Sequence, residues 1–565
     1  MKKLLSRQSD FIPKVIGRLA FLTGIFIIVA NLLPRVGRKA GSLESYLPFY
    51  VTSTSLATSI LTGFAMILIA RGLIRRKHRA WLLMLGILTV NIISNQLRSQ
   101  LHPAQTIVVA ILVILLIYYR KNFYAVSDPA TKYSPLYTFS GLLILVIVTG
   151  LGLLYFRHGS QIPKNTSFKD IFLTVIEGLV GVAGPVHLEN PRLDDTVSIT
   201  LGAFGIFTIL FPLSLYFRKT SVTPKLSDSE VEEVKKLIKW DSDQDSLGYF
   251  ATRRDKSVIW SNNKKAGIAY RVQSGVLLAS GDPFGEFSLW PEVIEKFLEM
   301  ARKYAWTPAV MGASDLGGEV WVKEADMLAI DIGDEAIINV SQFTLEGRPM
   351  ANVRQMVNRI KRKGYYTTTS RFVDLSQSDQ EKLRYLARHW RYGAAERGFS
   401  MSMDRFGELG DMETIITVAR QGDEIKGLLY FVPWIENRLS LDRMQRDKDS
   451  DPGVNDLMIV ETALWAKENN ITHVSLNFAA FRSIFERAEK INAGPILRFI
   501  RNTVRFFSNW FQVESLYRFN AKFQPEWRTR YVLYPKAADI VRVGWAALRA
   551  EQFISSFRKR SIKNN

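Results

Sequence analysis

Near the end of the chain the stretch VESLYRFNAKFQPEWRTRYVLYP, residues 513–535, crowds aromatic rings and cations into one strip. Tyr517, Phe519 and Trp527 offer flat faces that can stack on nucleobases or line an apolar cleft, and Arg518, Arg528 and Arg530 carry guanidiniums that can hold phosphates. Pro525 restrains the backbone leading to Trp527. An ordinary edge strand would use the same residue types. A second candidate is LSLDRMQR, residues 439–446, which reads as a strand. Strand alternation puts Asp442, Met444 and Arg446 on one face and Arg443 and Gln445 on the other, so Arg446 is the expected partner of Asp442. The competing reading is a surface ion pair. A third is the helix expected over 349–363, with Arg354, Arg359, Lys361, Arg362 and Lys363, which is either a solvated face or a row of phosphate contacts. In DPGVNDLM, Asp456 falls at the start of a helix, where the helix dipole stabilises a carboxylate.

What is missing narrows the chemistry. With no cysteine there is no disulfide, thiolate metal site or enzyme thioester, so any covalent step uses oxygen or nitrogen. Of six histidines only His389 and His473 lie outside the apolar half, and neither has neighbours that complete a metal site. No metal and no cofactor is expected. A formal charge of +21 favours polyanions, with nucleic acid and anionic lipid headgroups the leading partners. The Gly-rich loop that cradles the pyrophosphate of acetyl-coenzyme A is absent; the nearest pieces, SGDPFGEF and DIGDEA, carry acidic residues that repel phosphate. This argues against coenzyme A as an acyl donor.

The elements that must position these groups fall into two halves. Six apolar stretches, centred on 15–33, 48–70, 80–96, 104–119, 137–155 and 196–217, suit helices crossing about 30 Å of hydrocarbon. The third carries asparagines and a glutamine in LTVNIISNQL, which read as interhelical hydrogen bonding or an early exit into water. The first reads as a signal anchor, since further spans follow it. Basic loops at MKKLLSRQ, RGLIRRKHRA and YYRKN belong on the cytoplasmic side, which delivers both the N-terminus and everything after YFRKTSVTPK to the cytoplasm of a multi-pass plasma-membrane protein. The loop 156–195 reads as extracytoplasmic or as a segment in the outer leaflet, and Arg18 and Glu177 raise a transport reading. From about 226, short strands alternate with amphipathic helices in two comparable rounds, with a linker near 365–378. The expected architecture is therefore multi-domain: a transmembrane α-helical bundle of about six spans (1–220), then a cytoplasmic α/β tandem, GNAT-like (acetyltransferase-like) module. Its domains are 226–370 and 378–540, the second carrying the site, and a basic C-terminal tail (541–565) follows.

Five motifs in fixed order, GDPFGE, GDEAIINVSQFTLEGRPMANVRQMVNRIKRKGY, LSLDRM, VSLNFAAFRSIFERA and LYRFNAKFQPEWRTRYVLYP, resemble the transferase portion of the multiple peptide resistance factor family, the lysylphosphatidylglycerol synthases. The likeness covers most of 245–535 and is greatest to the actinobacterial branch, in which this module can be fused to a lysyl-tRNA synthetase; no such segment follows here before Asn565. The resemblance implies transfer of an aminoacyl group from aminoacyl-tRNA to a hydroxyl of phosphatidylglycerol in the membrane, with lower surface charge and resistance to cationic peptides as the outcome. It implies a catalytic Asp442, an arginine for which Arg446 is the candidate because Gln445 occupies the family position, and Lys522 near the reacting atoms. Arg443, Asp456, Tyr517, Arg518, Trp527, Arg528, Arg530, Arg354 and Arg359 would bind substrate, Asp456 through the α-ammonium of the donor. Alanyl transfer, or a diacylglycerol or peptidoglycan-precursor acceptor, are the enzymatic alternatives; a lipid flippase with a regulatory soluble domain is the non-enzymatic one. A homo-oligomer is compatible with either.

Overall fold

The computed structural model describes residues 2–32, 49–74, 76–96, 103–125, 134–152, 154, 162–163, 166–216 (without 183 and 190), 226–238, 245–478 (without 392–397, 409 and 436) and 513–552. They form two compact units, one made mainly of Met1–Thr220 and the other of Ser221–Ala301 with Trp306–Asn565.

Among its described residues the first unit is mainly helical. Helices α1 (Lys2–Leu32), α2 (Phe49–Ile74), α3 (His78–Gln96), α4 (Pro103–Tyr118) and α5 (Ser134–Gly152) are followed by the short α6 (Phe168–Leu179) and by α7 (Pro191–Tyr216). All six apolar stretches coincide with helices. Among the described residues, however, no helix is long and apolar enough to cross a membrane. The loop 156–195 contains α6, which starts with a capping box between Ser167 and Asp170. Ile16, Met66, Met84 and Leu112 bring α1 to α4 into one core, and Ile171, Val175 and Leu201 join α6 to α7. Backbones approach closely where side chains are smallest: a Cβ on Gly205 would lie 1.8 Å from the Leu179 carbonyl oxygen. In the third stretch, buried Asn91 makes an interhelical bond, donating to Thr62 Oγ1 of α2 at 2.8 Å. Outward faces stay apolar, with Leu22, Ile114, Ile144 and Ile199 all exposed.

The second unit begins with α8 (Asp228–Ile238) and a run of strands β1 (Ser257–Trp260), β2 (Ala266–Gln273), β3 (Val276–Ser280) and β4 (Phe284–Gly285). Then come α9 (Trp290–Tyr304), β5 (Thr307–Ala313), α10 (Asp315–Ala325), β6 (Leu328–Asn339) and α11 (Ala351–Arg362). The second round is β7 (Tyr365–Arg371), α12 (Gln377–His389), β8 (Ile415–Gln421), β9 (Glu424–Pro433), β10 (Arg438–Arg446), α13 (Val454–Glu468) and β11 (His473–Phe478). It ends with α14 (Val513–Ala521), β12 (Glu526–Tyr534) and α15 (Ile540–Ala550). Periodicity explains the helices: in α9 the buried positions Trp290, Val293, Ile294, Phe297 and Ala301 recur every three to four residues.

Strand β6 runs unbroken through Gly333 (φ 155°). Two local readings change. The segment 365–378, expected as a linker, starts with β7, whose alternating side chains pair with β8 along its full length. The first part of the expected basic tail is α15, which buries Val543, Ala546, Ala547 and Ala550.

Both rounds share one twelve-stranded sheet, ordered β1-β2-β3-β5-β12-β6-β11-β10-β9-β8-β7 with β4 on β2. The late strand β12 is not an edge: it runs back between β5 and β6, antiparallel to both. At the sheet centre β10 and β11 are parallel, but their ladder holds for only Arg438↔His473, Leu439↔Val474 and Ser440↔Ser475. Beyond those pairs the two strands part. The crevice outside the carboxyl ends of diverging parallel strands is where open α/β sheets bind ligands.

Candidate functional site

Asp442 sits just past the point of divergence. A β-bulge between Leu441 and Arg443 breaks the alternation there. Leu439, Leu441 and Met444 pack into the core shared with α13, whereas Gln445 donates to the Ala387 carbonyl of α12. The bulge therefore turns Arg443, not Arg446, toward Asp442: Arg443 Nε lies 3.3 Å from Asp442 Oδ2. Arg446 instead donates to the Ser450 carbonyl and hydroxyl at 3.0 Å each. The expected Asp442–Arg446 pair is corrected to Asp442–Arg443, because the extra residue of the bulge reverses the facing of everything after it.

The Asp442 side chain is sealed at 0% exposure. Its Oδ1 accepts the Met403 N–H at 2.7 Å. Burial holds this carboxyl above the ordinary aspartate range, against the opposing pull of Arg443, the Met403 N–H and the Ser402 hydroxyl. Arg443 also donates to the Met403 and Arg405 carbonyls at 3.3 Å and lies over the Phe406 ring. Across the gap between the strands, Asn477 (φ 66°) donates from Nδ2 to the Leu441 carbonyl at 3.1 Å and to the Met401 carbonyl at 2.9 Å. Sequence reasoning missed Asn477; a left-handed asparagine is not visible in a composition pattern.

In front of Arg443 is a cavity of about 690 Å³, lined also by Arg254, Arg384, Arg388, Arg391 and Arg405, with Asp228, Glu232, Asp404, Glu408 and Asp411 interleaved, of which Glu408 pairs with Arg254 and Asp411 with Arg405. None of these arginines was singled out from the sequence. Arg384, Arg388 and Arg391 recur at helical spacing along α12 and just past its end, a signal the sequence carries, and the fold adds Arg254 and Arg405 from separate segments.

The remaining sequence candidates form two further groups. Lys522, at the end of α14, pairs with Asp456 in the first turn of α13 at 3.1 Å; Asp456 is nearly buried and Lys522 is 42% exposed. The lysine also lies 4.8 Å from the Phe519 ring centroid. Tyr517 and Trp527 stack with centroids 4.6 Å apart, and Arg528 lies over Trp434, the residue that follows β9. Arg518 is exposed. In α11, Arg354 reaches the Leu345 and Gly347 carbonyls, and Arg359 donates to the Pro452 carbonyl at 3.0 Å, so both tie the helix to neighbouring loops. Of the family motif VSLNFAAFRSIFERA, residues 479–488 lie outside the described residues.

Arg530 is a correction. It is 2% exposed, and its guanidinium meets Asp245 at 2.5 Å, Glu335 through Nε at 2.9 Å and the Ser246 hydroxyl at 2.6 Å. Although burial opposes it, Asp245 and Glu335 keep this guanidinium even more firmly protonated than usual. Central placement of β12 makes Arg530 a buried counter-ion, out of reach of a phosphate ligand. Glu335 also accepts the Ser475 hydroxyl at 2.5 Å, so the ion cluster ties β6, β11 and β12 together beside the crevice.

Residues 235–534 match the family described as phosphatidylglycerol lysyltransferase, C-terminal, and residues 8–220 match the transmembrane region of lysyl-tRNA synthetase. The lysylphosphatidylglycerol biosynthesis bifunctional protein LysX of Rhodococcus jostii is 35% identical over 552 residues, covering 96% of this chain and 49% of that protein. The LysX of Mycobacterium leprae is 36% identical over 511 residues, covering 88% of this chain and 44% of that protein. The chain thus spans about half the length of the curated relatives it matches. Among solved structures, that of L-PGS from Bacillus licheniformis shares the fold at 21% identity, with a TM-score of 0.50 over 59% of this chain and 98% of that one.

Proposed function

The chain belongs to the phosphatidylglycerol lysyltransferase family, and from that premise we propose that it transfers an aminoacyl group, lysyl in the first place, from aminoacyl-tRNA to a hydroxyl of phosphatidylglycerol. The observation that carries this reading is the Arg443 guanidinium, held by a sealed Asp442 at the mouth of the crevice and facing an arginine-lined cavity of about 690 Å³. Such a cavity suits a phosphodiester and can steady the oxyanion of an ester under attack. In the proposed reaction the lipid hydroxyl oxygen bonds to the ester carbonyl carbon, the carbon–oxygen bond to the tRNA ribose breaks, and the hydroxyl proton ends on the departing ribose oxygen. The donor ester is already activated, so the chemistry left to the protein is positioning and charge stabilisation. Asp442 fixes the direction of Arg443; Lys522, exposed beside Asp456, provides a second cation for the donor's or acceptor's charge. Tyr517, Trp527, Arg518 and Arg528 form the surface for the tRNA end.

The same proposal places the helices of the first unit in the bilayer as a bundle of about six spans, with the second unit, two acetyltransferase-like halves sharing one sheet, on the cytoplasmic face. Product formation there lowers the negative charge of the membrane and its attraction for cationic peptides. The test is incubation of the purified chain with phosphatidylglycerol vesicles and tRNA charged with radiolabelled lysine or alanine. Label is expected in lipid and is expected to vanish after ribonuclease treatment of the donor; no labelled lipid from either donor overturns the proposal.

A further inference from the structure

The segment Phe399–Arg405 supplies the Met403 N–H that donates to Asp442 and the Met403 and Arg405 carbonyls that accept from Arg443, yet it has no regular secondary structure of its own. It is held from outside. Glu551, just beyond α15 and outside the span 235–534 that matches the family, is 1% exposed. Its Oε2 accepts the Phe399 N–H at 2.7 Å, and its Oε1 accepts the Ser400 N–H at 3.0 Å and the Ser400 hydroxyl at 2.5 Å. Three residues further along, the Met403 N–H reaches Asp442. The intervening carbonyls are pinned as well: Ser402 by Arg253 at 2.7 Å, and Met401 by Asn477 at 2.9 Å.

We infer that Glu551 is a positioning residue for the reaction: its carboxylate anchors the segment Phe399–Arg405, and the segment in turn fixes the donors to Asp442 and the direction of Arg443. The inference rests on the reading of the Asp442–Arg443 pair given above. Its geometric basis is the choice of partner. Arg253 and Arg271 both pair with Asp255, and Glu551, although it feels the charge of Arg253, Lys256 and Arg271, accepts from the backbone of the segment. A buried carboxylate taking two N–H groups and a hydroxyl makes charge-assisted bonds, about twice as strong as neutral ones. The anchor is therefore stiff, and the segment transmits it over three residues.

The functional consequence concerns protonation as well as direction. Facing Asp442 are Arg443 beside it and Tyr430 on β9, and the segment brings Asp404 and Arg405 with its far end. Losing the anchor lets the Met403 N–H and Ser402 hydroxyl drift from the carboxylate, which then holds its proton to higher pH and releases Arg443.

The experiment uses the whole purified chain, with phosphatidylglycerol vesicles and lysyl-tRNA, and compares the parent with Glu551→Ala and Ser400→Ala. For Glu551→Ala we expect kcat lower by about tenfold with KM for both substrates within about twofold, as for misplacement of a transition-state contact. The acid limb of the kcat profile is expected to move up by about one pH unit. Ser400→Ala, which removes one bond and leaves the carboxylate, is expected to move the limb the same way by a smaller amount. A purely structural role would lower the melting temperature and the active fraction without moving the limb. If Glu551→Ala does not fold, Ser400→Ala carries the test. An unmoved limb in the folded variants overturns the inference. Asp442→Asn separates the two failures: if it keeps full activity, the reading of the pair fails; if it is inactive while the Glu551 and Ser400 variants behave as the parent, only the positioning role fails.

Discussion

Arg530 offers the sharpest test of what the fold does to a residue that reads as a ligand group. Replacing it by methionine keeps most of the side-chain volume and removes the charge. Four contacts go with it, to Asp245, Glu335, the Ser246 hydroxyl and the Gly312 carbonyl. Glu335 keeps the Ser246 and Ser475 hydroxyls, each at 2.5 Å, so part of its solvation survives. Asp245 fares worse, since its Oδ2 has no hydrogen-bond partner among the described residues even in the parent. Breaking a buried pair by deleting one partner costs about 3–5 kcal/mol, and this site, with one carboxylate still partly satisfied, belongs in that range. For a unit of this size the melting temperature should fall by roughly 5–15 °C. The sign of the pH dependence follows from the carboxylates left behind. Burial already holds Asp245 above its ordinary range, against Arg530, and removing Arg530 raises it further. A group whose folded pKa lies above its unfolded value adds stability as pH falls through the folded value, so the deficit should shrink on acidification from neutrality. The assay is thermal unfolding of the whole chain followed by tryptophan fluorescence at several pH values, beside RNA binding at graded salt. A variant that melts with the parent but loses affinity for RNA and shows a shallower salt dependence would refute the reasoning, because that is how a surface phosphate ligand behaves.

Two further outcomes follow from the same geometry. Arg443→Ala should lower kcat/KM by about a hundredfold, as loss of a transition-state charge contact does, whereas Arg446→Ala should leave turnover within about threefold of the parent, both read in the lipid-labelling assay; the reverse order would restore the simple strand alternation. Asp282, pushed up to about 7 by burial and then by the neighbouring Asp245, keeps its proton in the folded state across a range where the unfolded chain has lost it. The parent should therefore lose stability as pH rises from about 4 to about 7, by on the order of 2–4 kcal/mol more than Asp282→Asn does; parallel stability profiles for the two proteins would contradict this.

Much of the architecture was legible without coordinates. The six apolar stretches and the helix expected over 349–363 depend on side-chain patterning within one element, and each coincides with a helix close to its expected bounds. The segment at 365–371 was misread because Tyr-Tyr-Thr-Thr-Thr-Ser-Arg has no apolar alternation; it is an edge strand with one face open to solvent, a setting in which threonine and tyrosine suffice. For the candidate site residues the sequence offers types and not partners: nothing in the order of residues says that Lys522 and Asp456 lie 3.1 Å apart.

The order of apolar and polar residues along the chain, by itself, determined where most helices and strands form, that an apolar helical half carrying most of the net positive charge precedes an α/β half, and that the chain offers no thiol for its chemistry. Those properties are local, or are sums over composition, so no fold is needed to read them. Only the tertiary structure decided that Arg443 replaces Arg446 beside Asp442, that Arg530 is an internal counter-ion, and that Glu551 closes on Phe399 and Ser400. Each of these depends on one non-local event: a one-residue bulge against β9, the return of β12 into the middle of the sheet, and the docking of α15 across residues about 150 positions earlier. Pairings at such separations are set by competition among whole elements for the same core. A periodicity read along one segment carries no information about which of them wins.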